Sequence, residues 1–404
     1  MLSRSIGLVI HIDTSMWITV LRKNFLADQH HQRPKGRSGD WKPPLKVAWA
    51  IGYHSAYTTQ PQGQERVSTY NVAVVGATGL VGQEFLKIAA QRRFPIKGLR
   101  LLASHRSVGR KMTVGEWAIE VEEATPRSFQ GIDLAFFSAT TEVSRELIPA
   151  AVKAGAVCID DSAAWRMEPD VPLVVPEVNA EDLKEHRGII SIPNCPTTPL
   201  CQTLWPVHKV NPLKRIVVDT YQSVSGTGAA AVEELTEQTR QVMEGNSAQS
   251  HVYPHQIAFN LLPQVDVFLG SGYTKEEWKI INETRKIMHE PELAVSATCV
   301  RVPVYVGHSE AVHAEFSKAI SPEDFTEMVH EAPGITVQDE PSVNLYPTPW
   351  SVAGRDDTYV GRIRQDASVG QTGIAFWLVS DNLRKGAALN AIQIAEELIV
   401  RNLM

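Results

Sequence analysis

One cysteine in this sequence has the surroundings of a nucleophile. Cys195 stands just before Pro196, a residue favoured at the first position of a helix, and the apolar residues that follow keep a helical spacing. A thiol at the positive end of a helix has a lowered pKa, so Cys195 is predicted to react as a thiolate. The amide of Asn194, together with nearby backbone N–H groups, could stabilise the oxyanion that its attack creates.

The other three cysteines fit a different description. A free cysteine is usually a small buried hydrophobic side chain. Cys158 lies inside a strand-like run, and the same interpretation suits Cys201 and Cys299. Four scattered cysteines without a CxxC pair indicate neither a disulfide framework nor a zinc site, and they imply a reducing compartment.

A histidine is the natural partner for a reactive thiol. The partner must take a proton and return one, which requires a pKa of about 6 to 7. His308 ends the strand-like stretch 300–309, in which Arg301 lies seven residues earlier. One histidine among 13 is more often structural or exposed, so the residues around His308 must decide its role.

The other histidines do not predict a metal site. His251 and His255 are separated by Pro254, which disturbs the helical geometry that such a pair of ligands needs. His313, inside the strand-like run 311–316, is expected at the surface or in packing.

A glycine-rich turn, GATGLVG at residues 76–82, stands between the strand-like run 72–75 and a segment with helical apolar spacing. In that position the backbone N–H groups and the positive helix end face a pyrophosphate. A plain tight turn would need the same glycines, and GxxGxxG is looser than the usual dinucleotide fingerprint. The residues expected to contact the cofactor are Gly76, Thr78, Gly79, Leu80 and Val81.

The residues roughly twenty positions beyond this turn indicate which dinucleotide binds. An NAD enzyme places an Asp or Glu there, whereas this sequence reads ASHRS over residues 103–107. Arg106 stands close to the hydroxyls of Ser104 and Ser107, and no carboxylate is present to repel a phosphate. The site therefore suits the 2′-phosphate of NADP. The alternative is that Arg106 and Arg110 belong to a solvated loop.

Strand and helix signals alternate between Tyr70 and Cys195, as in a Rossmann-type parallel sheet, so the predicted fold class is α/β. After Cys195 the pattern changes to long β-branched runs with one charged helix, which predicts a second, α+β domain. The runs lie at 215–224, 298–306 and 311–316, and the helix at 275–289. The expected domains are an NADP-binding domain over 70–195, completed by a C-terminal helix at 382–404, and a catalytic and dimerisation domain over 196–381.

Residues 1–69 carry nine Lys or Arg against four Asp or Glu and show no sustained periodicity. This leader is expected to lie outside the core. A transit peptide, a disordered extension and a start codon assigned too far upstream are all compatible with it.

The whole chain has 39 basic and 45 acidic residues, a net charge of −6 that argues against a nucleic-acid partner. No apolar run approaches the roughly 20 residues of a membrane span. A cytoplasmic enzyme acting on small molecules is expected, with organelle targeting by the leader left open.

The motif NCPT at 194–197 follows the segments DSAAWR at 161–166 and VVPEVN at 174–179, and in this combination the chain resembles the aspartate-semialdehyde dehydrogenase family. The resemblance runs from about Tyr70 to Asn402. It implies a homodimer whose interface lies in the second domain.

The resemblance also implies roles for individual residues. Cys195 is the nucleophile, His308 the general acid/base, and Gln222 orients the acyl intermediate. The Ser225, Gly226 and Gly228 positions of the segment QSVSGTG form a second glycine turn near the nicotinamide, which Asn382 also approaches.

The substrate contacts implied by the resemblance are charged. Arg301 binds the α-carboxylate, Glu276 the amino group, and Arg166 and Lys279 the phosphate. From spacing alone, Glu276 and Lys279 would be a solvated face of the charged helix.

In the biosynthetic direction, the resemblance implies that Cys195 attacks 4-phospho-L-aspartate, that phosphate leaves, and that NADPH reduces the thioester to L-aspartate 4-semialdehyde. This product feeds lysine (through diaminopimelate), threonine and methionine synthesis. N-acetyl-γ-glutamyl-phosphate reductase shares the chemistry but typically has the motif GCYPT around its cysteine. Asn194 and Pro196 differ from that motif and argue against this enzyme. A malonyl-CoA reductase on the same scaffold stays open, and a non-catalytic NADP-sensing protein is the alternative of a different class.

Overall fold

The computed structural model describes residues 69–115 and 117–404, which lie in one compact unit, Pro61–Met404. The expectation of a leader outside the core over 1–69 falls outside the described residues apart from Thr69, and it stays a prediction. Within the described ranges, no helix is long and apolar enough to cross a bilayer.

The first sheet has parallel strands with one antiparallel strand at its edge. In chain order, its strands are β1 (Tyr70–Val75), β2 (Ile96–Ala103), β3 (Lys111–Val114), β4 (Trp117–Glu123), β5 (Leu134–Phe137), β6 (Val157–Asp160) and β7 (Ile189–Ser191). Their spatial order is β3-β4-β2-β1-β5-β6-β7. The predicted α/β fold class with a Rossmann-type parallel sheet is confirmed.

Helices cover both faces of this sheet, which is why its central strands are uninterrupted apolar runs. The helices along this half are α1 (Leu80–Gln91), α2 (Thr141–Lys153) and the short α3 (Pro176–Asn179). Val72 and Val74 pack in a core shared with α1. Ala73 and Val75 pack on the opposite face in a core shared with α2. The alternation along β1 therefore fixes where both helices lie.

The second sheet mixes parallel and antiparallel pairs in the order β11-β12-β13-β10-β8-β9. Its strands are β8 (Leu213–Gln222), β9 (Ala294–Arg301), β10 (His308–Phe316), β11 (Ile335–Val337), β12 (Thr358–Gln365) and β13 (Gly373–Ser380). The helices of this half are α4 (Thr197–His208), α5 (Ala229–Met243), α6 (Lys275–Ile287), α7 (Pro322–His330) and α8 (Pro349–Val352). Apolar residues of α4, α6 and α7 share one core with this sheet.

The chain ends by returning to the first sheet. A π-helical turn, Arg384–Ala388, follows β13 and leads into α9 (Leu389–Val400). Ile392 of α9 packs in the same core as Val72 and Val74 of β1. The last helix therefore belongs to the same core as the first strand of the described chain.

Several predicted boundaries are wrong. The predicted strand 298–306 stops at Arg301, because Pro303 has no N–H to continue the ladder, and Gly307 turns the chain with a φ of +96°. His308 therefore begins β10 and does not end the preceding strand. The charged helix ends at Ile287 and not at 289, and the final helix is preceded by the π turn and does not start at 382.

Both sheets present functional segments at the ends of strands. In the first sheet, the carboxyl ends of parallel strands lead into the glycine turn after β1, residues 104–107 after β2, the Arg166 segment after β6 and Cys195 after β7. In the second sheet, β8 ends at Gln222 in register with Arg301 at the end of β9. β10 runs antiparallel to β8 and so begins at this same edge, with His308. Ligands of α/β proteins bind at such edges.

Candidate active site

The turn between β7 and α4 carries Cys195. The helix begins at Thr197, and the carbonyl of Asn194 accepts the N–H of Thr198 at 3.1 Å. The Cys195 thiol lies 3.3 Å from Nε2 of His308, and the residue as a whole is partly buried. The other three cysteines, Cys158, Cys201 and Cys299, are buried, as the sequence predicted.

Gly386 in the π turn lies directly against Cys195. A Cβ atom at position 386 would stand 2.9 Å from Cβ of Cys195 and 3.2 Å from its carbonyl oxygen. No side chain fits there without moving the nucleophile. The sequence interpretation missed this role, although a glycine inside an otherwise helical run was a visible signal.

His308 is fixed by a backbone donor. Its Nδ1 accepts the N–H of Ser223 at 3.0 Å, so in the neutral ring the proton resides on Nε2, which faces Cys195. Burial, and then the positive charge of Arg301, lower the His308 pKa to about 3, while Glu276 opposes the shift. The histidine is therefore neutral near pH 7 and offers an Nε2–H donor to the sulfur.

The prediction that the helix end lowers the thiol pKa is wrong for the free protein. Burial raises the pKa of Cys195, and the negative charges of Glu276 and Asp161 raise it further, against the lowering effect of Arg301 and Arg166. Desolvation here outweighs the favourable charges. The free site thus holds a neutral thiol beside a neutral imidazole.

Arg301 and Gln222 stand side by side at the ends of β9 and β8. Nη1 of Arg301 donates to the carbonyl of Ser223 at 2.7 Å, and its Nε is buried without a partner among the described residues. The guanidinium lies 6.0 Å from the ring centroid of Tyr253, within cation–π range. Arg301 therefore keeps donor capacity for an anion.

Helix α6 brings two further predicted residues to this place. Glu276 accepts the Gln222 amide and the Lys279 ammonium, each at 2.9 Å. Burial alone would raise the Glu276 pKa, but the charge of Lys279 and hydrogen bonds from Asn194, Gln222 and Lys279 hold it at about 2. The carboxylate is therefore ionised at neutral pH. Nδ2 of Asn194 makes no hydrogen bond of standard geometry among the described residues.

Lys279 and Arg166 are both already paired with carboxylates. Lys279 also contacts Asp266 at 2.9 Å, and the negative charges around it raise its pKa despite burial. Arg166 donates from Nη1 to Glu283 at 3.0 Å and from Nη2 to the carbonyl of Asp161 at 2.7 Å. Each cation has its position fixed by these partners.

The second glycine turn packs behind the catalytic pair. A Cβ atom at Gly226 would stand 3.2 Å from both Nε2 of His308 and Nη1 of Arg301. Ser225 is buried and Gly228 caps α5 with a φ of +108°. The side-chain oxygen of Asn382 accepts N–H and O–H donors from Gly307, Ser223 and Ser225, so Asn382 braces the loops around His308.

The first glycine turn forms a separate group at the first sheet. Gly76 has a φ of +82°, and a Cβ atom there would stand 1.9 Å from the carbonyl oxygen of Ser138. Gly79 precedes α1 without a side-chain cap, and Leu80 and Val81 form the first turn of that helix. The Thr78 and Ser107 hydroxyls lie 3.4 Å apart. These features fit a phosphate group held by backbone N–H donors.

Arg106 lies in a short 3₁₀ turn, His105–Ser107, that Ser104 precedes. Its side chain is exposed at the carboxyl end of β2, the neighbour of β1. An exposed guanidinium beside two hydroxyls could hold a second phosphate.

The structure therefore brings one set of predicted residues together around the thiol: Cys195, Asn194, His308, Gln222, Arg301, Glu276, Lys279 and Arg166. The residues proposed for the dinucleotide form two groups. Ser225, Gly226, Gly228 and Asn382 lie beside His308, and the others lie at the ends of strands in the first sheet. The sequence interpretation missed Ser223, Tyr253, Glu283 and Gly386. Ser223 acts through its backbone, and the contacts of Glu283 and Tyr253 depend on long-range packing, so only Gly386 carried a local signal.

Comparison with known families agrees with this arrangement. Residues 71–186 match the semialdehyde dehydrogenase NAD binding domain, and residues 204–385 match the semialdehyde dehydrogenase dimerisation domain. An aspartate-semialdehyde dehydrogenase of Aquifex aeolicus is 51% identical over 339 residues, covering 83% of this chain and 99% of that protein. Another, of Bacillus subtilis, is 49% identical over 342 residues, covering 83% and 99%.

Solved structures are similar over the same length. Aspartate semialdehyde dehydrogenase II of Vibrio cholerae, complexed with ASA, has a TM-score of 0.81 at 42% identity and covers 83% of this chain and 100% of its own. The Candida albicans enzyme with NADP has a TM-score of 0.66 at 28% identity, covering 83% and 100%.

The raised thiol pKa predicts how Cys195 reacts in the free protein. Because the neutral thiol dominates, its alkylation by iodoacetamide should be slow at neutral pH and rise roughly tenfold per pH unit between about pH 6 and about pH 9. Peptide mass spectrometry, which separates Cys195 from the three buried cysteines, measures the rate at each pH. A rate that is flat across this range would show a thiolate–imidazolium pair and contradict the expectation.

Proposed function

The chain belongs to the aspartate-semialdehyde dehydrogenase family, and we propose that it reduces 4-phospho-L-aspartate to L-aspartate 4-semialdehyde with NADPH through a thioester on Cys195. The family resemblance is confirmed by relatives at 49% and 51% identity. The chain is thus an oxidoreductase of amino-acid biosynthesis. The observation that carries the proposed mechanism is the 3.3 Å contact between the Cys195 thiol and Nε2 of His308, at a place where two buried arginines act on the thiol.

Charge complementarity supports the proposed substrate contacts. Arg301 can present a planar pair of donors to the α-carboxylate, and the ionised Glu276 attracts the α-ammonium. Arg166 and Lys279 supply positive charge for the phosphate. Since both are already paired with carboxylates, the phosphate must compete for their donors, which favours its later release.

The proposed covalent step begins at sulfur. Sγ of Cys195 forms a bond to C4 of the substrate as the thiol proton passes to Nε2 of His308, and the C4–O bond to phosphate breaks, with the electron pair leaving on phosphate. The Asn194 amide, whose Nδ2 makes no hydrogen bond of standard geometry among the described residues, can donate to the oxyanion that forms on the way. Gln222, held by Glu276 and Thr220, can orient the acyl group.

When bound, NADPH supplies the hydride that reduces the thioester carbon. His308 then acts at the sulfur: Nε2 returns the thiol proton to Sγ while the C4–S bond breaks and the aldehyde forms, which leaves the ring neutral again. His308 can take the thiol proton at Nε2 when the ring proton resides on Nδ1, where the Ser223 hydroxyl oxygen, 3.1 Å away, can accept Nδ1–H. The ring can in this way take up the thiol proton as well as donate one.

A nicotinamide dinucleotide fits the first sheet, and residues 71–186 match an NAD binding domain. We propose a preference for NADP, with Gly76, Thr78, Gly79, Leu80 and Val81 around the pyrophosphate. Ser104, Arg106 and Ser107 would hold the 2′-phosphate, and Ser225, Gly226, Gly228 and Asn382 would lie near the nicotinamide. The similar Candida albicans enzyme was solved with NADP, which supports this preference.

We also propose a homodimer, formed through a catalytic and dimerisation domain over residues 196–381. The match of residues 204–385 to a dimerisation domain supports it. Large apolar side chains exposed in this part of the chain, a feature of protein interfaces, support it too. They are Phe259, Leu261, Val267, Phe268 and Trp350.

The reverse reaction tests the function most directly. The purified protein should reduce NADP when given aspartate semialdehyde and phosphate, and CoA should not replace phosphate. Cys195→Ala should abolish turnover while NADPH affinity stays nearly unchanged, because the thiol forms the covalent bond but does not hold the dinucleotide. Activity within roughly tenfold of wild type would remove Cys195 from the mechanism.

The cofactor preference is tested at Arg106. Arg106→Ala should weaken NADPH binding far more than NADH binding, because only NADPH carries a phosphate for the guanidinium to pair with. Fluorescence titration gives both dissociation constants, and Arg110→Ala on the same loop is a matched control. Equal losses for the two cofactors would contradict the assignment.

The carboxylate contact is tested by Arg301→Lys, which keeps the charge but replaces a planar pair of donors with a single point. The lost bidentate contact is worth on the order of 2 to 3 kcal/mol, or roughly a 30- to 150-fold fall in kcat/KM for aspartate semialdehyde. NADP affinity should hardly change. A short aldehyde without the α-carboxylate should be used equally poorly by both proteins; the same loss with both substrates would assign Arg301 a merely structural role.

A further inference from the structure

One buried carboxylate connects two parts of the site that come from different segments of the chain. Oε1 of Glu283 accepts Nη1–H of Arg166 at 3.0 Å, and its Oε2 accepts the backbone N–H of Asn194 at 2.6 Å. The Glu283 side chain is 1% exposed and that of Arg166 is 7% exposed. Both carboxylate oxygens are therefore used in a place that water hardly reaches.

The Glu283 position follows from the helix it lies on. Glu276, Glu283 and Lys286 of α6 are spaced by seven and then three residues, so they share one face of the helix. Glu276 contacts Gln222 at one end of this face. Lys286 at the other end donates to the carbonyls of Arg166, Glu168 and Val171, each at 2.8 Å.

The segment that carries Arg166 is thus held by α6 at two points, through its guanidinium and through its backbone. The turn that carries Cys195 is held by the same helix, because Glu283 bonds the peptide N–H of the residue just before the cysteine. The Nε of Arg166 is buried without a partner among the described residues, so the guanidinium retains a donor for a ligand.

We propose that Glu283 is a positioning residue that sets the phosphate-binding arginine and the nucleophile in a fixed relation. One carboxylate balances the charge of Arg166 and at the same time orients the Asn194–Cys195 peptide. A phosphate that draws Arg166 toward it therefore acts, through Glu283, on the turn that holds the thiol. The substrate-related part of this inference rests on the proposed function, whereas the effect on the thiol does not.

Conservative variants separate the two halves of this contact. In Glu283→Gln, the single amide oxygen can accept from Arg166 or from Asn194, and the NH2 group then faces the remaining donor. In Glu283→Asp, the charge remains, but the shorter side chain cannot reach both partners. Glu277→Gln is the matched control, because Glu277 is also buried on α6 and also uses both carboxylate oxygens, in its case as acceptors of the backbone N–H groups of Thr274 and Cys299.

Three quantities should be measured on each variant: the KM for phosphate in the reverse reaction, the kcat, and the alkylation rate of Cys195 by iodoacetamide without substrate. Losing one hydrogen bond to a charged group predicts roughly a 10- to 100-fold fall in kcat/KM for phosphate for Glu283→Gln. The alkylation rate should change at least about fivefold, because the thiol turn is released. Glu277→Gln should lower the melting temperature by a similar amount but leave all three quantities within about twofold.

A Glu283→Gln protein that is folded and keeps phosphate KM and alkylation rate within about twofold of wild type would overturn the proposal. So would equal kinetic losses in Glu277→Gln, since these would reflect general loosening of α6. If Glu283→Gln fails to fold, Glu283→Asp decides by the same criteria. If the wild-type protein does not reduce NADP with aspartate semialdehyde and phosphate, the proposed function fails, while the alkylation comparison still tests whether Glu283 positions Cys195.

Discussion

The site depends on one contact that crosses between two sheets. Cys195 follows a strand of the first sheet and His308 begins a strand of the second, yet Sγ and Nε2 lie 3.3 Å apart. Neither sheet contains the pair by itself, so the chemistry exists only when both are folded and correctly placed. The π turn takes part in this placement, because Gly386 leaves room for Cys195 where any side chain would push it away.

Burial imposes a second constraint, because charges removed from water need partners. Glu276 is matched by Lys279 and Glu283 by Arg166. Burial has a different effect on the two reacting residues, because it favours their neutral forms. The thiol pKa rises and the histidine pKa falls, so Cys195 and His308 are both uncharged before a substrate binds. The ionised residues are therefore assigned to binding and positioning, while the reacting pair starts neutral.

Much of this arrangement could be predicted from the sequence, because several signals are local. The GATGLVG turn after an apolar run and the cysteine before Pro196 depend only on neighbouring residues, and both lie where strands of the first sheet end. The prediction of a strand through residue 306 was wrong. β-Branched residues continue past Pro303, but the hydrogen bonds between strands end before it. The thiol pKa was predicted with the wrong sign because desolvation depends on surroundings that no local pattern reveals. Glu283 escaped notice for the same reason, since its partners lie 117 and 89 residues away in sequence.

The place of α9 in the first sheet's core has a consequence for folding on the ribosome. Ile392 belongs to the core that contains Val72 and Val74, so this core includes residues from both ends of the described range. N-terminal domains generally fold first as a chain is made, but the first sheet's core cannot be completed until α9 has been synthesised. Until then, the apolar surface of α1 and β6 that α9 covers stays exposed. Such a surface can bind chaperones that recognise exposed hydrophobic segments, and the first sheet reaches its final packing only after the second sheet has been synthesised.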